Sequence, residues 1–129
     1  MPHPLKGPSL LAGLALAGAL ALPQQAAAAG DPAAGKVIFA KCAACHSAKA
    51  GENRVGPSLF GVVGRKAGSL PDYTYSPAMK ASGLTWTTAE LDAYLANPRQ
   101  KLPGIKMIFA GIPAEADRVN LIAYLATLK

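Results

Sequence analysis

Cys42, Cys45 and His46 form the run Cys-Ala-Ala-Cys-His, and no other residues of this chain are so well placed for covalent and metal chemistry. Two thiols at this spacing, with an imidazole directly after the second, suit attachment of one c-type haem. The thiols add across the two vinyl groups of a porphyrin, and the imidazole becomes the proximal iron ligand. Positions three apart lie on one face of a helical turn, so both sulfurs reach the same edge of the ring. Other uses of these residues fit less well. A closed zinc site wants four ligands, and after residue 29 the chain has only two cysteines and one histidine. A thioredoxin-like pair wants a βαβ context, which the neighbouring sequence does not offer. A disulfide across two intervening residues closes a very short loop and adds little stability.

The second axial position is narrowed by elimination. His3 lies in the N-terminal leader, which leaves His46 as the one histidine of the remaining chain. A second imidazole and a second haem are both excluded on that count. A methionine, a lysine, a water or an open position remain. Met79 lies in Ser76-Pro77-Ala78-Met79, where Ser before Pro starts a helix and Gly83 suits its stop. Met107 lies in a stretch bounded by Pro103-Gly104 and Gly111, an apolar loop able to fold over a flat cofactor. Functional groups are found on loops more often than on short helices, which favours Met107. Thioether ligation raises the reduction potential relative to histidine. With both axial positions filled, oxygen does not bind readily, and single-electron transfer is the chemistry left. An open position would instead suit binding of a small ligand such as oxygen, nitric oxide or peroxide.

The elements that must position these groups read as all-α. Asp31 and Pro32 supply an N-cap and N1 for a first helix over about 32–41. Thr87-Thr88-Ala89-Glu90 is a capping box that starts a middle helix, with Leu91, Tyr94 and Leu95 on its apolar side. Asn97-Pro98 ends it, because a residue before proline avoids the α region. A last helix runs from about Ala114 towards Lys129, with Leu121, Ile122, Leu125 and Leu128 at one-face spacing. No strand is expected; cofactor burial replaces a sheet as the organiser.

The leader is a separate matter. Lys6 is followed by an uncharged apolar run from Leu10 to Leu22 and then by Ala26 to Ala29. A basic start, a short apolar stretch and a small-residue exit read as a secretory signal peptide over 1–29, cleaved after Ala29. The run is short of the roughly 20 residues a membrane span needs; retention as an N-terminal tether is the alternative. The domain would then be residues 30–129, small for a core built from side chains alone. It keeps 12 of the 13 basic residues and all 7 acidic ones, a net charge of +5. Such a balance favours acidic partners. The charges are scattered rather than clustered, and export also argues against nucleic acid.

Five stretches carry a resemblance that runs from Lys41 to Leu125: KCAACH, VGPSLFGVVGRKAG, YTYSPAMKASGLTW, LDAYLANPRQKLPGIKMIFAGI and RVNLIAYL. In order and spacing they resemble the small monohaem mitochondrial cytochrome c and bacterial cytochrome c2 (c550) family. That resemblance implies crossing N- and C-terminal helices, with a middle helix and loops wrapped around one covalent haem c. Gly35 and Phe39 would meet Leu121 and Tyr124 at the crossing. It implies Met107 as the sixth ligand beside His46, and Pro57 as the carbonyl partner of that histidine. Tyr94 would stand beside the ligand sulfur, and Arg65, Tyr75 and Trp86 around the haem propionates. Met79 and Ile105 depart from the family's usual asparagine and threonine, and one residue is absent between His46 and Pro57. The resemblance further implies a monomeric periplasmic electron carrier rather than an enzyme. Lys41, Arg99 and Lys106 would belong to a basic ring that docks on acidic faces of redox partners. A bc1-type complex, a terminal oxidase, a photosynthetic reaction centre or a dehydrogenase would each serve.

Overall fold

The computed structural model describes residues 29–129, together with 1–5, 7–9, 13 and 18. Most of the expected signal-peptide segment, including nearly all of its apolar run, lies outside the described residues. Among the described residues no helix is long and apolar enough to cross a membrane.

Among the described residues five helices follow in order: α1 (Pro32–Phe39), α2 (Pro77–Ala81), α3 (Thr88–Ala96), α4 (Pro98–Lys101) and α5 (Glu115–Leu125). Their starts follow local chemistry. The Asp31 side chain accepts from the Ala33 amide at 2.9 Å and Pro32 opens α1. Ser76 caps α2 through the Met79 amide, again with proline in the first turn. Thr87 caps α3 through the Glu90 amide at 3.2 Å.

Three details depart from the sequence expectation. The capping box at α3 is half made: the Thr87 amide donates to the Thr85 carbonyl, and the Glu90 carboxylate turns to Lys101 instead, at 2.9 Å. The short helix α4 was not expected. Asn97 both ends α3 and starts α4, its side chain accepting from the Gln100 amide at 3.2 Å. Finally, α5 stops at Leu125 and not near Lys129. The Thr127 amide and hydroxyl both turn back to the Tyr124 carbonyl.

The first and last helices cross and form the main packing of the domain. Gly35 is buried in α1, and a Cβ there would overlap the Asn120 carbonyl of α5. Phe39 and Tyr124 pack with ring centroids 5.2 Å apart, beside fully buried Leu121. The Asp31 amide donates to Asn120 Oδ1 at 2.9 Å, which pins the entry of α1 to α5. The core continues through Leu91, Tyr94, Leu95, Ile112, Ile122 and Leu125. An isolated antiparallel bridge joins Lys66 to Thr85; no strand is formed among the described residues.

Candidate haem site

The turn that follows α1 presents the chemistry. Amides of Cys45 and His46 both donate to the Cys42 carbonyl, at 3.0 and 2.9 Å. The helical winding thus continues just past α1 and puts Cys45 and His46 one turn beyond Cys42. Both cysteines are free thiols, Cys42 half-buried and Cys45 exposed. Burial pushes the Cys42 thiol up, against the opposing pull of the neighbouring Lys41 charge.

His46 Nδ1 lies 2.7 Å from the Pro57 carbonyl. A carbonyl only accepts, so Nδ1 carries the proton and the Nε2 lone pair faces away from this bond. Burial holds the imidazole below its usual pKa, the Pro57 bond opposes that shift, and the Arg65 charge adds to it. The ring is held from behind by backbone. A Cβ at Gly56 would press on the His46 ring, 2.8 Å from both nitrogens and closer still to Cε1. Two thiols beside a neutral, oriented imidazole with a free nitrogen are the donor set a covalent haem requires.

The Gly56-Pro57 strap is itself fixed. Arg65 donates to the carbonyls of Ser58 and Phe60 at 3.0 and 3.1 Å. Asn53 Oδ1 accepts from the Ser58 amide at 2.9 Å. Desolvation lowers the Arg65 pKa, which leaves a guanidinium fully charged at neutral pH. Backbone bonds pair Arg65 with the Trp86 segment, the Trp86 amide donating to the Arg65 carbonyl at 2.8 Å. Trp86 and Tyr94 are both buried, with ring centroids 4.8 Å apart. Tyr75 Oη accepts from the Leu70 amide at 3.3 Å.

The other candidate ligand lies on the loop from Leu102 to Ala114. Met107 is half-buried there and packs against the core, as Met79 does from α2. The far end of the loop is pinned. The Ile112 amide donates to the Leu95 carbonyl at 2.8 Å. Arg118 of α5 pairs with Asp92 of α3 at 2.8 Å and donates to the carbonyls of Ile112 and Pro113, each at 2.9 Å. The near end is held by Lys106, whose ammonium donates to the Thr74 carbonyl at 2.6 Å. Lys41, Arg99 and Lys106 are all exposed, Lys106 with its ammonium tied to a carbonyl. Sequence reasoning did not single out Gly56, Asn53 or Arg118. Gly before Pro was a visible signal for a strap; the Arg118 clamp joins residues far apart in the chain and left none.

Comparison with known proteins places this arrangement among relatives. A profile described as cytochrome c matches residues 32–129. Cytochrome c2 of Rhodoblastus acidophilus is 54% identical over 102 residues, covering 78% of this chain and 95% of the relative. Cytochrome c-550 of Nitrobacter winogradskyi is 50% identical over 98 residues, covering 75% and 90% respectively. Among solved structures, cytochrome cH from Methylobacterium extorquens superposes with a TM-score of 0.72 at 50% identity, covering 76% of this chain and 99% of that one.

Proposed function

The chain belongs to the cytochrome c family, and from that membership we propose a diffusible periplasmic one-electron carrier whose haem has His46 and Met107 as its axial pair. Its relatives are electron carriers and not enzymes, and the family carries one covalent c-type haem. The haem, when bound through Cys42 and Cys45, supplies a one-electron iron couple. The chain's own residues do the rest. Pro57 orients the imidazole of His46 and raises its basicity. Trp86, Tyr94 and the core beneath them exclude water. Met107 contributes a soft thioether that favours the reduced state.

The observation that most supports this reading is the His46–Pro57 contact one residue from Cys45 and one turn from Cys42. We place a signal peptide at 1–29, removed after Ala29, and the mature carrier at 30–129 as a monomer. The match of the family profile from residue 32 onward supports that division. An intact mass equal to residues 30–129 plus one haem is the expected result for exported protein; an unprocessed N-terminus would favour a tethered carrier. The net positive charge supports docking on acidic faces of a bc1-type complex, an oxidase, a reaction centre or a dehydrogenase.

Visible spectra of oxidised and reduced protein, with carbon monoxide added to the reduced form, test the axial pair. Sharp low-spin bands indifferent to carbon monoxide, with the weak red ferric band of sulfur ligation, are expected. A carbon monoxide shift without that band would defeat the closed-carrier reading.

A further inference from the structure

The strap behind His46 and the loop carrying Met107 are different stretches of irregular backbone, and one aromatic side chain touches the supports of both. Tyr73 Oη donates to the Val55 carbonyl at 2.8 Å. Val55 is followed by Gly56, which backs the His46 ring, and by Pro57, whose carbonyl accepts the hydrogen bond from His46 Nδ1. The face of the same Tyr73 ring lies under the Lys106 ammonium, 5.3 Å from centroid to nitrogen. Lys106 immediately precedes Met107 and also grips the carbonyl of Thr74, next to Tyr73. Tyr75 packs edge-on against Tyr73 at 4.9 Å and 74°, which sets the tilt of the ring. A parallel link runs from Asn53 Nδ2 to the Asp72 carbonyl at 3.3 Å.

We propose that Tyr73 is a positioning residue that couples the backbone strap behind His46 to the loop carrying Met107, so that the two sides of the site loosen together. The inference rests on the reading of those two residues as the axial pair. Its physical basis is the absence of helix in either stretch. Such segments open locally at low cost, so a single phenol hydrogen bond and a single cation–π contact shift their opening several-fold. Held separately, each stretch would open on its own. Held through one ring, motion of the strap moves the seat of Lys106.

Tyr73→Phe tests this directly, because it keeps the ring under Lys106 and removes only the bond to Val55. The change is made on the His46 side and read on the Met107 side. In the haem-loaded protein, native-state amide exchange at Lys106, Met107 and Ile108 is expected to quicken about fivefold. Imidazole, used as an exogenous ligand for ferric iron, should bind about fivefold more tightly. Thr127→Val serves as the control, since it removes a comparable hydroxyl-to-carbonyl bond at the end of α5; it should leave both readouts unchanged. Faster exchange confined to residues 53–57 in Tyr73→Phe would overturn the coupling, as would equal effects from Thr127→Val. If the wild-type ferric protein lacked the red sulfur band, the Met107 assignment would fall, and amide exchange alone would still decide whether Tyr73 joins the two stretches.

Discussion

Gly35 meets Asn120 backbone to backbone: a Cβ at position 35 would overlap the Asn120 carbonyl and lie 2.8 Å from the Tyr124 Cβ. Helix propensity alone would make Gly35→Ala favourable by about 1 kcal/mol. The clash is with backbone, which cannot rotate away, so overpacking decides the sign. Gly35→Ala should therefore destabilise the haem-loaded protein by about 3 kcal/mol, the upper part of the usual overpacking range. A lowered denaturant midpoint at unchanged slope is the expected record; an unchanged or raised midpoint would contradict the crossing.

The strap behind His46 makes a second prediction. Gly56→Ala inserts a methyl too close to the imidazole ring, 2.8 Å from both nitrogens. The ring must shift off the Pro57 carbonyl or the strap must move. Either change should lower the yield of haem-loaded protein and broaden the low-spin spectrum; an unchanged yield and spectrum would contradict the contact.

The two methionines separate cleanly. Met107→Ala should abolish the red ferric band and let reduced protein bind carbon monoxide. Met79→Leu changes a residue packed against the core from α2 and should keep both spectral properties, at a stability cost of about 1 kcal/mol. The reverse pattern would move the ligand to α2.

Much of this was legible locally. Asp31, Ser76 and Thr87 each name their helix by a side chain that reaches two or three residues ahead, and each does so in the structure. What escaped was non-local or double-purpose. Asn97 was readable as a stop, and its second role as a cap depended on α4 having a place to pack. Glu90 has the right spacing to close a capping box, but the ammonium of Lys101 wins its carboxylate. Lys106 has the composition of a docking charge, yet a carbonyl 32 residues away holds it. The run Cys42, Cys45 and His46 was readable because covalent attachment of a haem asks for adjacency in sequence; the carbonyl that meets His46 was not, because carbonyl partners carry no side-chain signature.

Docking should depend on Arg99. Arg99 is exposed, and α4 has no acidic residue in its first turn. Arg99→Glu should slow electron exchange with an isolated bc1-type complex about tenfold at low ionic strength, and the difference should vanish at high salt. A rate difference that survives high salt would point to a structural effect.

Tyr94 supplies a pH prediction. Burial pushes its phenol up to about 12, against an ordinary value of about 10. The folded state therefore keeps a proton that the unfolded chain has already lost. That contribution is complete below about pH 10 and disappears as pH rises through about 12, a change on the order of 2 kcal/mol. Urea titrations of wild type and Tyr94→Phe between pH 8 and 12 should show the wild-type curve falling more steeply above pH 10. Parallel curves would mean the phenol titrates normally.

The crossing of α1 and α5 also makes the domain a ring: everything between the two helices is a loop closed by their contact. The entropy of closing such a ring grows only with the logarithm of its length, about 0.6 kcal/mol for each doubling. Gaining or losing a residue in the intervening loops thus costs the closure almost nothing, and the short segment between His46 and Pro57 can drop one. The clasp itself has no such latitude, since one added methyl at Gly35 would part it. Length variation in proteins built this way should gather between the terminal helices, and their crossing point should tolerate none.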